Sequence, residues 1–357
     1  MKGCPSNMRT RLLLVVLLVS ALLVPQTAYV DTATPAVNAV ATLLPTAAGD
    51  RIVDTAELSP EVENAIDRGL AYLASKQDDQ GSWARENKCG VTSLALMAYM
   101  LKGHFPKKGI YGLHLERAVD FLIAQAKKSD GYIGNSMYEH ALATLALSEA
   151  WGMSDRDEIR DVLKRAVDII INSQNREGGW RYTPEPKDAD VSVTAMQLVA
   201  LASAKEAGIF VPAEVMDKAR AYVKRLQIPN SGGFGYQSAH SPGFARSAAG
   251  VMSLMISGDR ESRQALRGLD YLQKQPDEVF SKADYYSYGH YYAIQVMYQA
   301  GESHYAAWYP KIRDAQLKSQ KKDGFWQNPG DPDPAYGTSM AILMLGVPYR
   351  YLPIYQR

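Results

Sequence analysis

The sequence predicts an all-α protein built from six tandem helix pairs, and three observations carry that prediction. A glutamine recurs at positions 77, 125, 174, 227, 275 and 320, a period of about fifty residues, which is the mark of a repeat array or ring. Each copy contains two stretches with helical spacing of its apolar residues. The second stretch of each copy is apolar on nearly all sides, as expected of a buried helix.

The first helix of each copy precedes the glutamine. Between Val62 and Ser75 the apolar positions step by three and four, as at Ile66, Leu70 and Leu73, which predicts an amphipathic outer helix. The second helix follows a glycine turn. It is read at Val91–Leu101, His140–Ala150, Val191–Ala204, Ser247–Ile256, Tyr292–Ala300 and Thr338–Leu345. A helix pair of this kind cannot bury both faces alone, so neighbouring copies must stack. Periodicity leaves open whether the stack is an open solenoid or a closed ring.

Before the repeats, Lys2, Arg9 and Arg11 precede an apolar run from Leu12 to Val24, then Pro25 and small residues near Thr27 and Ala28. This is the order of a secretory signal, so residues 1–28 are expected to direct export to a periplasmic or extracellular location. The run is short for a membrane span; contact with a membrane is expected only if this segment stays uncleaved. Residues 29–57, rich in Ala, Thr, Pro and Val, read as a flexible linker, and residues 58–357 as the repeat domain. Of the two cysteines, Cys4 lies in the signal and Cys89 is then alone, so no internal disulfide is expected. With a net charge of +1 and no basic block, nucleic acid is not an expected partner.

The internal copies share a phrase. Arg68-Gly69, Tyr72-Leu73, Gln77, Gly81 and Trp83 recur at identical spacing as Arg165-Ala166, Ile169-Ile170, Gln174, Gly178 and Trp180. Gln320, Gly324 and Trp326 keep the later half, and Gln227, Gly232 and Phe234 fit with one inserted residue. Physically, the Gln side chain can bond backbone groups at the end of the outer helix. The Gly permits a positive-φ turn that stops it, and the Trp packs over the turn and holds adjacent repeats together.

This phrase resembles the QW motif of squalene and hopene cyclases, and the resemblance runs from about Glu61 to Val347. It implies a closed (α/α)6 toroid of the kind that those cyclases and protein prenyltransferase β-subunits use. The N-termini of the inner helices would face a central cavity. The row Thr92, His140, Thr194, Ser247, Tyr292 and Thr338 would then mark the inner-helix starts, with Glu139, Asp190, Ser192, Arg246, Tyr288, His290 and Tyr336 just before or within them. Helix N-termini gathered at one mouth favour an anion.

The stretch Asp190-Val191-Ser192-Val193-Thr194-Ala195 stands where hopene-type cyclases carry Asp-x-Asp-Asp-Thr-Ala. The family's central Asp protonates the polyene. Ser192 occupies that position here, and a hydroxyl cannot act as that acid, so the resemblance implies a catalytically divergent cyclase-like toroid unless a shifted acid such as Asp188 serves. The prenyltransferase zinc site is likewise incomplete: Ser192 stands for the ligating Cys and Gly337 for the later His. A scattered trio of Asp190, His290 and His140 is the weaker alternative, and neither a metal nor another cofactor is expected. The thioester domains of α-macroglobulins form a third comparison, but Cys89-Gly90-Val91-Thr92 lacks the Gln that would be the acyl partner.

The leading expectation is therefore an isoprenoid or other lipid-like, amphipathic small molecule in the cavity. His140, Ser192, Arg246, Tyr288, Tyr292 and Tyr336 are the candidate binding residues. Asp190, Glu139 and His290 are the catalytic candidates if the chain is an enzyme acting on isoprenoids or polysaccharides. For glycoside cleavage, Glu139 and Asp190 would be the carboxylate pair. A module that binds a protein partner through the mouth or outer face is the third alternative.

Overall fold

The computed structural model describes residues 58–154 and 156–349. The expected secretory segment and linker lie outside the described residues, as does the C-terminal segment beyond Tyr349, which the sequence suggests as a strap. The described residues form twelve α-helices and no β-strand beyond two isolated bridges. None of these helices is long and apolar enough to cross a membrane.

The six outer helices are α1 (Pro60–Lys76), α3 (Gly112–Lys128), α5 (Asp157–Asn172), α7 (Ala213–Arg225), α9 (Arg263–Gln273) and α11 (Glu302–Ser319). Each buries one stripe. In α1 this is Val62, Ala65, Ile66, Gly69, Leu70 and Leu73, the three- and four-residue spacing visible in the sequence. Ser59 caps α1 by accepting the Val62 N–H, and Pro60 occupies its first position, where a missing N–H costs nothing.

The six inner helices are α2 (Lys88–Leu101), α4 (Met137–Trp151), α6 (Val191–Glu206), α8 (Phe244–Ile256), α10 (Tyr286–Ala300) and α12 (Pro334–Leu345). They are buried nearly all round; in α2 every residue from Cys89 to Leu101 is buried. Each packs on the next, α2 on α4, then α6, α8, α10 and α12, and α12 returns to α2 and α1. The array is thus the closed (α/α)6 toroid, a question that period alone left open.

The repeated phrase makes the joints of this ring. Gln77 Nε2 donates to Gly81 O at 3.0 Å and to His114 O of the next outer helix at 2.8 Å. Gln174 does the same to Gly178 O and Val215 O, both at 2.9 Å. Gln227 reaches Gly232 O and Gln264 O, and Gln320 reaches Gly324 O and Ala65 O. The last of these bonds joins the sixth repeat to the first. The glycine turn sits hard against the same neighbour. Gly81 has φ +86° and Gly178 φ +96°, and a Cβ there would fall 2.4 Å from Arg117 O and 2.3 Å from Lys218 O. Only glycine fits both the dihedral and the close approach.

The tryptophans complete the joint. Trp83, Trp180 and Trp326 are buried and donate Nε1–H to Leu73 O, Ile170 O and Gln316 O at 2.7, 2.7 and 2.8 Å. These carbonyls lie near the end of the preceding outer helix, where backbone acceptors are otherwise orphaned. A Cβ at Gly69 would lie 2.7 Å from the Trp326 ring. The tryptophan of the sixth repeat therefore packs directly on the first helix and closes the ring.

Candidate functional site

The starts of the inner helices form the site, and they are built differently from one another. Their common element is a side chain that holds the preceding turn. Thr92 Oγ1 accepts the Trp83 N–H at 3.2 Å, Thr194 the Trp180 N–H at 3.1 Å, and Thr338 the Trp326 N–H at 3.0 Å. Ser247 accepts from Phe234 N at 2.9 Å. In the second repeat His140 replaces the hydroxyl: Nδ1 accepts the Ile133 N–H at 3.1 Å while Nε2 bonds Ala166 O at 3.0 Å. The fifth member is His290, whose Nε2 bonds Val279 O at 2.9 Å. Tyr292, placed in this row by the sequence, lies two residues too deep; its hydroxyl meets Met196 Sδ in the core.

Both histidines are therefore turn-holding core residues, fully buried and outside the cavity lining. Burial without a counter-charge pushes each imidazole down to about 4, so both are neutral at ordinary pH. The scattered trio of Asp190, His140 and His290 does not assemble; no group of three or more His, Cys, Asp or Glu suited to a metal occurs among the described residues.

The two carboxylates singled out in the sequence are committed to backbone. Glu139 lines the cavity, but Oε1 accepts from Cys89 N at 3.0 Å and Gly90 N at 3.3 Å, and Oε2 from Asn135 N at 2.8 Å. It caps the start of α2, whose own N-cap Asn87 is left-handed and makes no side-chain bond. Asp190 is the N-cap of α6, accepting from Ser192 N and Val193 N, both at 2.9 Å. It is fully buried and does not line the cavity. Its charged neighbour is Arg181, 3.7 Å from Oδ2, in place of the Arg246 or His290 that the sequence suggests. Burial raises the Asp190 carboxyl, with the backbone N–H of Val193 and the Arg181 charge opposing. Arg181 itself lies between the rings of Tyr182 and Tyr236, at 4.9 and 5.6 Å. Cys89 is buried, and its thiol is pushed up to about 12 by burial and then by Glu139, so it is inert at neutral pH.

Ser192, Arg246, Tyr288 and Tyr336 do face a common space. At the end of the ring where the inner helices begin lies a cavity of about 1310 Å³. Leu94, Leu142, Met196, Phe244 and Met340 give it apolar walls, and tyrosines from five of the six inner helices or their approaches line it. Tyr288 donates to Ser192 O at 3.3 Å, so Ser192 is tied to the tyrosine wall. Arg246 lies in the first turn of α8 and has no ion-pair or hydrogen-bond partner among the described residues. Its helix start, Gly243, has no capping side chain, and neither has Tyr285 at the start of α10. The other four inner starts are capped, α2 and α6 by Glu139 and Asp190, α4 and α12 by Ser136 and Asp333.

Among the cavity residues that the sequence does not single out, one stands out chemically. Asp331 belongs to the loop before α12, and burial pushes its carboxyl up to about 6, partly offset by hydrogen bonds from Ser287 and Asn328. The signal available in the sequence is the run Pro329-Gly330-Asp331-Pro332-Asp333-Pro334, an irregular loop placed just before an inner helix. Loops in such positions are where functional side chains concentrate.

A closed ring of six helix pairs with a cavity at the inner-helix N-termini defines the class: an α/α toroid. No family model and no curated protein matches the chain. Solved structures do. A type II terpene cyclase from Scytonema in complex with geranylgeranyl dihydroxybenzoate is 13% identical, with a TM-score of 0.60, over 84% of this chain and 100% of that one. Cellobiose 2-epimerase from Bacillus thermoamylovorans is 14% identical, with a TM-score of 0.61, over 80% and 98%. An inactive variant of an α-1,6-mannanase from Salegentibacter in complex with α-1,6-mannotetrose is 8% identical, with a TM-score of 0.61, over 80% and 98%. At these identities the likeness concerns the fold, and the fold hosts isoprenoid and saccharide chemistry alike.

Proposed function

We propose that this chain is an exported, cyclase-like toroid that binds an amphipathic, isoprenoid- or lipid-like molecule in its central cavity without the proton-donating acid of the cyclases. The observation that carries the reading is the cavity itself: about 1310 Å³, apolar and tyrosine-walled, with Ser192 where the acid would stand. Large apolar pockets with a few convergent polar groups are the usual form of a small-molecule site. The Scytonema cyclase holds a geranylgeranyl dihydroxybenzoate in the same kind of ring, which supports an elongated apolar guest with a polar end. Neither His140 nor His290 enters this site; Ser192, Arg246, Tyr288 and Tyr336 do.

Glycoside cleavage by Glu139 and Asp190 is not supported, because backbone N–H groups hold the former and the latter lies outside the lining. The test is extraction of the full-length purified protein and mass spectrometry of what it carries. An isoprenoid or lipid bound near one per chain is expected, and its loss from a Met196→Trp variant that fills the cavity. Recovery of equal amounts from both proteins would sink the reading, and a cyclised product formed from an added linear C20 polyene would overturn the claim of divergence. A protein-binding role has one observation in its favour: Ile110, Leu113 and Phe210 are exposed at turns from inner to outer helices. If a captured partner binds Phe210→Asp as tightly as the parent, that role is discarded.

A further inference from the structure

We infer that Asp331 and the tyrosines of α10 and α12 form a subsite for an organic ammonium group in the cavity. This rests on the ligand-binding reading above and adds the charge of the ligand's polar end.

The placement of Asp331 is built in. Its Oδ2 accepts the Asn328 N–H at 3.0 Å, and Gln327 Nε2 donates to its carbonyl at 2.8 Å. One turn into α12, Gly337 leaves the room that the carboxylate fills; a Cβ there would fall 2.5 Å from Oδ2 and 2.7 Å from Trp326 O. The loop thus folds the carboxylate back onto the helix start, beside the cavity.

What surrounds it is neutral. Asn328, Ser287 and Tyr286 form a linked set with Gln316: Asn328 Nδ2 reaches Ser287 Oγ at 3.4 Å, and Gln316 Nε2 reaches the Tyr286 hydroxyl at 3.3 Å. Tyr286 and Tyr336 both feel the Asp331 charge, which adds to the burial that raises their phenols. Other charged groups on the cavity wall lie elsewhere: Arg85 and Glu86 are exposed in the approach to α2, and Glu139 is held by backbone N–H groups. Asp333 caps α12 through Ala335 N at 2.7 Å; Lys282, Asp284 and Glu278 lie exposed in the approach to α10; Arg246 stands on α8 and makes no ion pair with Asp331. No ion pair to Asp331 occurs among the described residues.

A desolvated carboxylate without a counter-charge is costly, which is why burial lifts Asp331 to about 6. A cation offsets that cost. Tyrosine faces attract cations through their quadrupole, more strongly when the site is desolvated; Tyr288 and Tyr336 line the same cavity. A hard metal ion is the poorer fit, because it needs six or more oxygen ligands and only one free carboxylate is offered. An ammonium group needs one carboxylate and aromatic walls, which is what the site provides.

The test uses three amphiphiles with one chain length below their micelle concentrations: decyltrimethylammonium, decyl glucoside and decyl sulfate. Binding to the full-length protein is measured by calorimetry from pH 5 to 8. The cation should bind roughly tenfold tighter than the glucoside at pH 8, about one well-placed desolvated contact. That preference should fade as the pH falls through about 6 and Asp331 takes up its proton. Asp331→Asn should bring the cation's affinity down to that of the glucoside at every pH. If the glucoside or the sulfate binds as well as the cation, or the preference survives in Asp331→Asn, the subsite is wrong while the cavity reading stands. If none of the three binds, the cavity reading itself fails and takes the subsite with it.

Discussion

The outer joints of the ring and its inner rim are made from the same six repeats, yet they differ in kind. At the joints the same chemistry recurs. Gln77, Gln174, Gln227 and Gln320 each bond their own glycine turn and the next outer helix, and Trp83, Trp180 and Trp326 each return Nε1–H to the helix they follow. At the rim the six inner helices begin in five different ways: a glutamate borrowed from the next repeat, a serine, an uncapped glycine, an uncapped tyrosine and, at α6 and α12, an aspartate. Joints must meet similar neighbours at a near-constant rotation, and four of the six repeats keep the glutamine solution, whereas Gln275 bonds Tyr271 O of the helix it follows. The rim has no such neighbour and is free to diverge, which is where a ligand site can be written without altering the ring.

The sharpest way to break that contrast is at a joint. Trp180→Ala removes a fully buried ring and its bond to Ile170 O, and a loss of about 3–5 kcal/mol is expected by denaturant titration. A loss below about 1 kcal/mol would mean that the joints do not hold the ring together.

Acid should attack the rim positions that use histidine in place of a hydroxyl. His140 and His290 have pKa values depressed to about 4 in the folded state, against about 6.5 unfolded. Their contribution is fully present above pH 6.5 and is lost as the pH falls through 4. Each is worth at most about 3 kcal/mol over that window. Asp78, held down to about 2 by Ser82 and Lys88 against the effect of burial, acts at lower pH and does not confuse the reading. His140→Thr restores the hydroxyl used elsewhere and should reduce the slope of stability between pH 6.5 and 4, a window in which His104 and His114, also lowered by burial, add to the slope and Asp331 opposes it. An unchanged slope would show that these histidines are not the acid-sensitive groups.

Asp331 should show the opposite sign. Its folded pKa lies above that of an unfolded aspartate, so its contribution is present below about pH 4 and is lost as the pH rises through about 6. Asp331→Asn should therefore stabilise the ligand-free protein at pH 8, by about 1–2 kcal/mol after allowing for its partial exposure. Equal or lower stability of the variant at pH 8 would remove the picture of an uncompensated charge.

The smallest effect is expected at Asp190. Asp190→Asn keeps an oxygen for the N–H groups of Ser192 and Val193 and gives up the contact with Arg181, which retains Asp188 at 3.3 Å. A loss of about 1 kcal/mol or less is expected, with ligand affinity unchanged because the side chain does not line the cavity. Abolished binding with unchanged stability would restore Asp190 to the site.

The repeat period, the outer stripes and the C-terminal ends of the inner helices are legible in the sequence, because each is a local pattern of apolar spacing or a fixed phrase. The N-terminal ends are not: α10 begins at Tyr286 and α12 at Pro334, each at least a turn before the apolar run, since the first turn faces the cavity and carries polar residues. That shift is why Tyr292 reads as a rim residue and His290 as a lumenal one, when the fold sets the histidine as turn-holder and buries the tyrosine beneath. Glu139 and Asp190 are conspicuous as carboxylates at helix starts, yet what a carboxylate does depends on which N–H groups come within reach of it, and for Glu139 two of the three belong to residues about fifty positions away. Asp331 was inconspicuous for the converse reason. Nothing in its own loop marks it as half-buried and without a counter-charge; its surroundings come from α10, α11 and α12, and only closure of the ring brings them together.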